Sequence, residues 1–143
     1  MDQYPERSGH YKLTEEWSVE LPSEFKCRIE DEDLVLWQHG MTIWCSVWGI
    51  EPEETREEAL AWMEEEQAED AFDVSKSDQD GVLLYRYRLL EETNDYSVAS
   101  LYCFAFSHSS YIQLGIYLDE ETRFEDAQRI CESICFVNHQ TMH

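Results

Sequence analysis

The fold is decided by the stretch Val98–Leu118, VASLYCFAFSHSSYIQLGIYL, which predicts two strands joined by a polar turn. Alternate side chains of a strand point to opposite faces of the sheet. In the first strand, one face carries the aliphatic and thiol side chains of Leu101, Cys103 and Ala105. The opposite face carries the aromatic side chains of Tyr102, Phe104 and Phe106. The return strand carries a second apolar set, Ile112, Leu114, Ile116 and Leu118. A pair of strands that is apolar on both faces belongs inside a sheet, with other elements packed on each side.

Alternating apolar residues predict further strands before this hairpin. They are Trp17–Leu21, Phe25–Ile29, Leu34–Gln38, Met41–Trp48 and Val82–Leu90. The dipeptide His39-Gly40 predicts a tight turn between the third and fourth of them, and Ser75–Gly81 is predicted to be a polar turn. Pro22 is expected to interrupt the chain between the first two, because proline cannot donate to a ladder of backbone hydrogen bonds.

Two helices are predicted by capping boxes and apolar stripes. The first spans Glu51–Asp70, with Thr55 and Glu58 placed to cap each other's backbone. Its expected inner stripe is Ala59, Leu60, Trp62, Met63, Ala71 and Phe72. The second begins after Asp119, with Thr122 and Glu125 as its capping pair and an inner stripe of Phe124, Ala127, Ile130, Cys131 and Ile134. These elements predict an α+β fold, a mainly antiparallel sheet with helices packed on both faces.

The chain of 143 residues is long enough to bury one core without disulfides. We expect a single domain over residues 16–137. Residues 1–15 are polar and without periodicity and are predicted to be a mobile leader, and residues 138–143 a frayed tail.

The net charge is −22, from 32 acidic and 10 basic residues. Such a field repels phosphate backbones, so we expect no nucleic-acid partner. It favours a basic protein partner, or serves solubility alone. The five cysteines lie in apolar settings and are predicted to be reduced core residues. There is no secretion signal and no apolar run long enough to span a membrane, so a cytoplasmic location without a membrane partner is expected.

The first helix carries the densest negative charge. Its carboxylates near the C-terminal end oppose the helix dipole, and they are Glu64, Glu65, Glu66, Glu69 and Asp70. This arrangement costs local stability. The carboxylates therefore form either a solubilising surface or a contact surface for a partner.

Trp44 and Trp48 share one face of the strand Met41–Trp48, which is either covered by a helix or open as a docking surface. Arg86 and Arg88 share one face of Val82–Leu90, where they are expected to pair with carboxylates. An anion site at the two arginines is the alternative.

No pattern predicts a catalytic site, a metal site or a cofactor. Cys131, Cys135 and His139 have spacings of four, but neither a CxxC nor an HExxH motif accompanies them. The serines and histidine of the 107–110 turn lack a nucleophile elbow. The segment 78–81 resembles part of a calcium loop, but a lysine and a tyrosine stand where carboxylates are required.

The order of elements and several local segments resemble the Mog1/PsbP-like fold, including the bacterial DcrB-like domains of unknown function. The matching segments are WSVELPSEF at Trp17–Phe25, the helix Thr55–Asp70, the strand Tyr85–Leu90 and the ending YLDEETRFEDAQRICESICF. The resemblance covers about residues 15–137. It implies a binding role, since proteins of this fold include a small-GTPase-binding factor, a photosystem subunit and chaperones of secreted effectors.

The sequence therefore predicts a non-catalytic protein-binding module, acting as an adaptor, a chaperone or an immunity-like protein, either monomeric or homodimeric. Its partner would present a basic surface or an apolar segment to the acidic helix, to the aromatic sheet face, or to both. The alternative is a small-ligand-binding protein or a small-molecule hydrolase with a pocket near Arg86 and Arg88.

Overall fold

The computed structural model describes residues 4–79, 81–92, 95, 97–119 and 121–137. Its strands are β1 Glu6–Lys12, β2 Trp17–Glu30, β3 Asp33–Gln38, β4 Met41–Gly49, β5 Phe72–Gln79, β6 Val82–Glu92, β7 Ser97–Phe106, β8 Ser110–Leu118 and β9 Cys135–Phe136. Its helices are α1 Arg56–Glu65 and α2 Phe124–Glu132, and a short 3-10 turn, Glu121–Arg123, precedes α2. Within these ranges neither helix is long and apolar enough to cross a membrane.

The strands form one antiparallel sheet in the order β1-β2-β3-β4-β8-β7-β6-β5, and β9 pairs with β2. The hairpin β7–β8 lies inside the sheet, with β6 on one side and β4 on the other. This confirms the predicted mainly antiparallel sheet and its central hairpin. The predicted turn at His39-Gly40 is also present, where Gln38 pairs with Met41 and Gly40 takes a φ of 84°.

One face of the sheet, which we call the aliphatic face, carries the large core cluster. Leu101, Cys103 and Ala105 of β7 belong to it. Helix α2 adds three buried residues to the same cluster, Ala127, Ile130 and Cys131, and Ile134 just beyond its end adds a fourth. The apolar stripe predicted for this helix is therefore the one that the structure buries.

The other face, which we call the aromatic face, carries a smaller cluster of Tyr85, Phe104 and Phe106. Phe104 and Phe106 alternate along β7 with the residues of the aliphatic face and so point the opposite way. Ala59 of α1 is the helix residue buried in this cluster, and Leu60 and Met63 are packed against it half-buried.

Strand β1 corrects the prediction of a mobile leader over residues 1–15. Glu6–Lys12 pairs antiparallel with β2, with a shift of register between Arg7 and Gly9, where Gly9 has a φ of 68°. A strand at the edge of a sheet needs only backbone pairing on one side, and six of the seven side chains are exposed. An exposed edge strand has no apolar alternation for sequence analysis to detect. Residues 1–3 and the predicted frayed tail, 138–143, lie outside the described residues.

Strand β2 corrects the predicted interruption at Pro22, because Trp17–Glu30 is a single strand. The ladder to β1 pairs Leu21 with Gly9 and Phe25 with Arg7, so the irregular stretch of that ladder spans Pro22. Pro22 is exposed at this point. A proline is tolerated there because no regular ladder hydrogen bond is required of it.

Both helices differ from their predicted boundaries. Helix α1 has the predicted Thr55–Glu58 capping box but covers ten residues rather than Glu51–Asp70. Helix α2 begins after the 3-10 turn with Arg123 at its N-cap and no side-chain cap, so the predicted Thr122–Glu125 box is wrong. A 3-10 turn tightens the first turn by itself and satisfies backbone groups that a capping side chain would otherwise bind.

Strand β5 replaces most of the turn predicted at Ser75–Gly81. Phe72–Gln79 pairs with β6 as the outermost strand of the sheet, and all eight of its side chains are exposed. As with β1, an edge strand carries polar residues on both sides, and its sequence therefore reads as a turn.

Candidate functional site

The acidic surface of α1 is where sequence analysis placed it, although the helix is shorter. Glu65, Glu66, Glu69 and Asp70 are exposed, and the last three lie beyond the end of the helix. The Glu64 carboxylate binds the Lys76 ammonium of β5 at 2.9 Å. The last turn of α1 contains no basic residue, so these carboxylates lie uncompensated near the negative end of the helix dipole.

The N-terminal end of α1 is held to the sheet by Arg56, whose side chain is 10% exposed. Its guanidinium donates to the Gly81 carbonyl oxygen and to Glu57 at 3.3 Å, and it lies 3.9 Å from the Asp78 carboxylate. A backbone hydrogen bond and the neighbouring Arg56 side chain lower the pKa of Glu57. This end of α1 is therefore attached by polar contacts rather than by apolar burial.

Trp62 corrects the predicted inner stripe of α1, because 59% of its surface is exposed. The predicted stripe included it because it lies three residues after Ala59, but Arg56, Ala59 and Met63 set the direction of the buried side. Trp62 is two residues from Glu64 and hence roughly on the opposite flank of the helix. Because Glu64 contacts Lys76 of the edge strand β5, Trp62 projects from the flank of α1 opposite that contact.

An aromatic ladder crosses the aromatic face beyond α1. Trp48, which is 43% exposed, stacks on Tyr111 with ring centroids 5.2 Å apart, and Tyr111 stacks on Phe106 at the same distance. Two rows further along the same face, Trp44 lies opposite Gly115, which lies opposite Tyr102. A Cβ at Gly115 would meet the Tyr117 hydroxyl at 3.3 Å and the Tyr102 ring at 3.4 Å, so the glycine lets these two rings pack over the backbone between the strands.

The hydroxyls of Tyr102 and Tyr117 and the Glu91 carboxylate form a polar cluster on the aromatic face. The Tyr102 hydroxyl lies 3.2 Å from the Tyr117 hydroxyl and 3.3 Å from the nearer oxygen of Glu91, which also accepts from Ser100. Burial, followed by the hydrogen bond with Tyr117, raises the pKa of Tyr102 well above its usual value. Burial likewise raises the pKa of Tyr87. Both hydroxyls are therefore protonated at neutral pH, when they can donate hydrogen bonds but cannot act as bases.

Arg86 and Arg88 lie on the aliphatic face, opposite Cys103 and Leu101 of β7. Arg88 is held by the Asp73 carboxylate at 3.1 Å and lies between two rings, its guanidinium carbon 3.8 Å from the centroid of Phe124 and 5.0 Å from that of Phe72. The predicted pairing with a carboxylate is confirmed for Arg88. Because Phe124 belongs to α2, the contact of its ring with the Arg88 guanidinium fixes α2 to the sheet.

Arg86 differs from its neighbour. Among the described residues it makes one hydrogen bond, from Nε to the Ser75 hydroxyl at 3.1 Å, and no ion pair. The prediction that it pairs with a carboxylate is therefore wrong within the described chain. Two cavities, of about 360 Å³ and about 300 Å³, adjoin at Arg86 and Ser75 between β5–β6 and α2. Among the described residues that line them there is no histidine, and the carboxylates are those of Glu132 in the larger cavity and Asp73 in the smaller one.

The remaining candidates of the sequence have structural roles where the structure describes them. Cys131 is buried in the core while Cys135 is exposed, so the two thiols do not form a common site, and His139 is outside the described residues. The Ser107 hydroxyl closes its own turn by donating to the Ser110 carbonyl oxygen at 3.0 Å. Within the described ranges there is no group of three or more His, Cys, Asp or Glu residues that could hold a metal ion.

Comparison with known proteins finds a similar structure but no similar sequence. No family model matches the chain, and no curated protein matches it. The solution structure of cyanobacterial PsbP (CyanoP) from Synechocystis sp. PCC 6803 superposes with a TM-score of 0.70 at 11% sequence identity, over 93% of this chain and 92% of that one. At this identity the likeness establishes the fold alone. The chain therefore has the PsbP-like fold that its sequence resembles.

Proposed function

We propose that this chain is a non-catalytic protein-binding module that docks a basic segment of a partner between α1 and the open part of the aromatic face. The observation that carries the proposal is the exposure of two tryptophans, Trp62 at 59% and Trp48 at 43%, beside an acidic helix. Tryptophans are among the side chains that contribute most to binding at protein interfaces.

In this proposal these residues border one surface, which we call the docking surface. Helix α1 contributes Ala59 to the cluster over β6 and β7. The proposal places Trp62 on the flank of α1 turned towards the inner strands, opposite the contact of Glu64 with β5. On the inner strand β4, Trp44 is half-buried and Trp48 is exposed.

The charge of the helix selects the partner. Glu65, Glu66, Glu69 and Asp70 are exposed without a basic residue in the last turn of α1. A segment with lysines or arginines beside an apolar anchor would compensate these carboxylates and bury Trp62. Exposed charges attract within about 8 Å at physiological ionic strength, so the charged part of the binding weakens with salt whereas the tryptophan part does not.

The proposal extends to architecture and biological setting. The two core clusters support a sandwich with α2 on the aliphatic face and α1 on the aromatic face. The entry segment and the terminal helix support an assignment to the DcrB-like bacterial domains. An acidic surface and five free cysteines suit an adaptor, chaperone or immunity-like protein of the cytoplasm.

The test compares capture of proteins from a lysate of the source cells by the wild type and by variants. Trp62→Ser should lose a partner that the wild type retains, because Trp62 is exposed and its replacement leaves the core intact. Replacing Glu64, Glu65 and Glu66 by lysine should lose the same partner. The matched control reverses Glu24, Asp119 and Glu125, which are exposed carboxylates outside α1, and should keep it.

Two results would contradict this function. One is a partner captured equally by the wild type, Trp62→Ser and both charge-reversed proteins. The other is the absence of any partner that distinguishes the wild type from Trp62→Ser at low or at high salt. Capture that survives high salt but is lost in Trp48→Ala would restrict the surface to its apolar part.

A further inference from the structure

The cleft around Arg86 lies on the aliphatic face, away from the docking surface, and it presents one positive and one negative charge to the same cavity. The cavity of about 360 Å³ is lined by Arg86 of β6 and by Glu132 at the end of α2. No ion pair within 4.0 Å joins these two side chains, although both are in the described chain. They face one cavity as separate charges.

The other lining groups do not alter this balance. Lys76 also borders the cavity, but its ammonium is bound by Glu64 at 2.9 Å. The thiols of Cys103 and Cys131 are on its inner wall, where a hydrogen bond between them and burial raise the pKa of Cys131, so that this thiol is uncharged. The wall thus presents the Arg86 guanidinium, the Glu132 carboxylate and an apolar patch formed by Leu84 and the two thiols.

Arg86 is available to bind a ligand because the nearby Arg88, rather than Arg86, makes the contacts that fix α2 to the sheet. Asp73 and the rings of Phe72 and Phe124 hold Arg88, whereas Arg86 uses only its Nε, on Ser75. The two terminal nitrogens of Arg86 have no partner among the described residues. A guanidinium presents these nitrogens as a fork that matches a carboxylate.

The net charge of the protein decides which ligand carrying a carboxylate fits. A chain with a charge of −22 repels a simple anion over the range at which unscreened charges act. A zwitterion has no net charge and is not repelled, while its ammonium group gains from Glu132. The cavity volume lies within the range of about 300–1,000 Å³ that is usual for small-molecule sites.

We infer that the Arg86 cleft binds a small zwitterion, with its carboxylate on the Arg86 guanidinium and its ammonium group on the Glu132 carboxylate. Its short apolar body lies against Leu84 and the two thiols. The Ser75 and Ser77 hydroxyls line the rim and would accept or donate hydrogen bonds to the ligand. This site stands on observations independent of the docking surface, and its failure would leave that surface untouched.

The test titrates the full chain with glycine, β-alanine, γ-aminobutyrate and 5-aminovalerate, which separate the two charges by increasing lengths. Acetate, butyrate and butylamine are the probes with a single charge, and calorimetry or ligand-observed NMR measures the binding. One zwitterion of the series should bind saturably and at least about tenfold more tightly than every probe with a single charge, because it gains a second charge-assisted hydrogen bond.

Variants of Arg86 and Glu132 test which protein group binds each charged end of the zwitterion. Arg86→Gln and Glu132→Gln should each weaken binding of that zwitterion by about tenfold or more. The matched controls Arg129→Gln and Glu125→Gln change the same charges at exposed positions of α2 that do not line the cavity, and should leave binding unchanged. Glu132 is exposed, so its variant remains informative if Arg86→Gln fails to fold.

Three results would overturn the inference. The first is no saturable binding by any member of the series. The second is binding of acetate or butyrate as tight as that of the best zwitterion, which would make the cleft an anion site. The third is a zwitterion whose affinity is the same in Glu132→Gln as in the wild type.

Discussion

The two helices are attached to the sheet in different ways. Helix α2 buries Ala127, Ile130 and Cys131 in the large cluster of the aliphatic face. Helix α1 has only Arg56 and Ala59 buried, with Leu60 and Met63 packed half-buried, and its attachment also uses the side-chain hydrogen bonds of Arg56 and Glu64. Apolar burial is lost only when the core opens. A helix held by half-buried side chains and a few polar contacts separates from the sheet at a smaller cost in free energy. The comparison indicates that α1 is the less stable element and that its face is the one suited to binding.

Truncating one aliphatic side chain on each helix tests this difference directly. Ile130 is fully buried, so Ile130→Ala should lower the free energy of unfolding by about 2–5 kcal/mol through lost burial and the cavity left behind. Leu60 of α1 is half-buried, and Leu60→Ala should cost roughly 1–2 kcal/mol. Urea denaturation measures both values. Equal costs would mean that α1 is held as firmly as α2 and that the comparison is wrong.

Arg56 provides the next largest effect, because it fixes the start of α1 to the β5–β6 hairpin. Arg56→Met keeps the length of the side chain but removes the hydrogen bond to the Gly81 carbonyl and the contacts with Glu57 and Asp78. The variant should lose about 1–3 kcal/mol of unfolding free energy. Hydrogen exchange should show faster opening of α1, with α2 unchanged.

Arg129→Met is the control for that substitution, since Arg129 is exposed on α2. It should remain within about 0.5 kcal/mol of the wild type. If both arginine variants are equally stable, the polar contacts of Arg56 contribute nothing to the attachment of α1.

The same difference explains what the sequence could predict. The central hairpin and the stripe of α2 are strongly apolar, so their periodicity alone located them. The edge strands β1 and β5 are defined by backbone pairing, which leaves no pattern in exposed side chains such as those of Phe72–Gln79.

The candidate sites follow a similar division. The sequence correctly places Trp48 on the strand β4. It wrongly predicts Trp62 on the buried side of α1, because a spacing of three residues from Ala59 does not distinguish the buried side of a helix from its flank. The difference between Arg86 and Arg88 depends on Phe124 and Asp73, which are distant in sequence or in another strand. No local pattern carries that information.

The last effect concerns Tyr85, which is fully buried in the cluster that Ala59 of α1 joins and donates a hydrogen bond to Gln67. Burial, with smaller contributions from Tyr87 and Glu64, raises the pKa of Tyr85 to about 12, against about 10 in an unfolded chain. The stabilisation due to the protonated hydroxyl is therefore complete below pH 10 and is lost as the pH rises from 10 to 12.

The loss from this one group should be at most about 1.4 kcal/mol per pH unit in that window. Denaturation in urea at several pH values should show that the stability of the wild type falls more steeply above pH 10 than that of Tyr85→Phe, which has no phenol to ionise. The two curves should be parallel below pH 10, where both side chains are neutral. If they remain parallel above pH 10, the hydroxyl is open to water, and α1 covers the aromatic face less closely than the contact with Gln67 indicates.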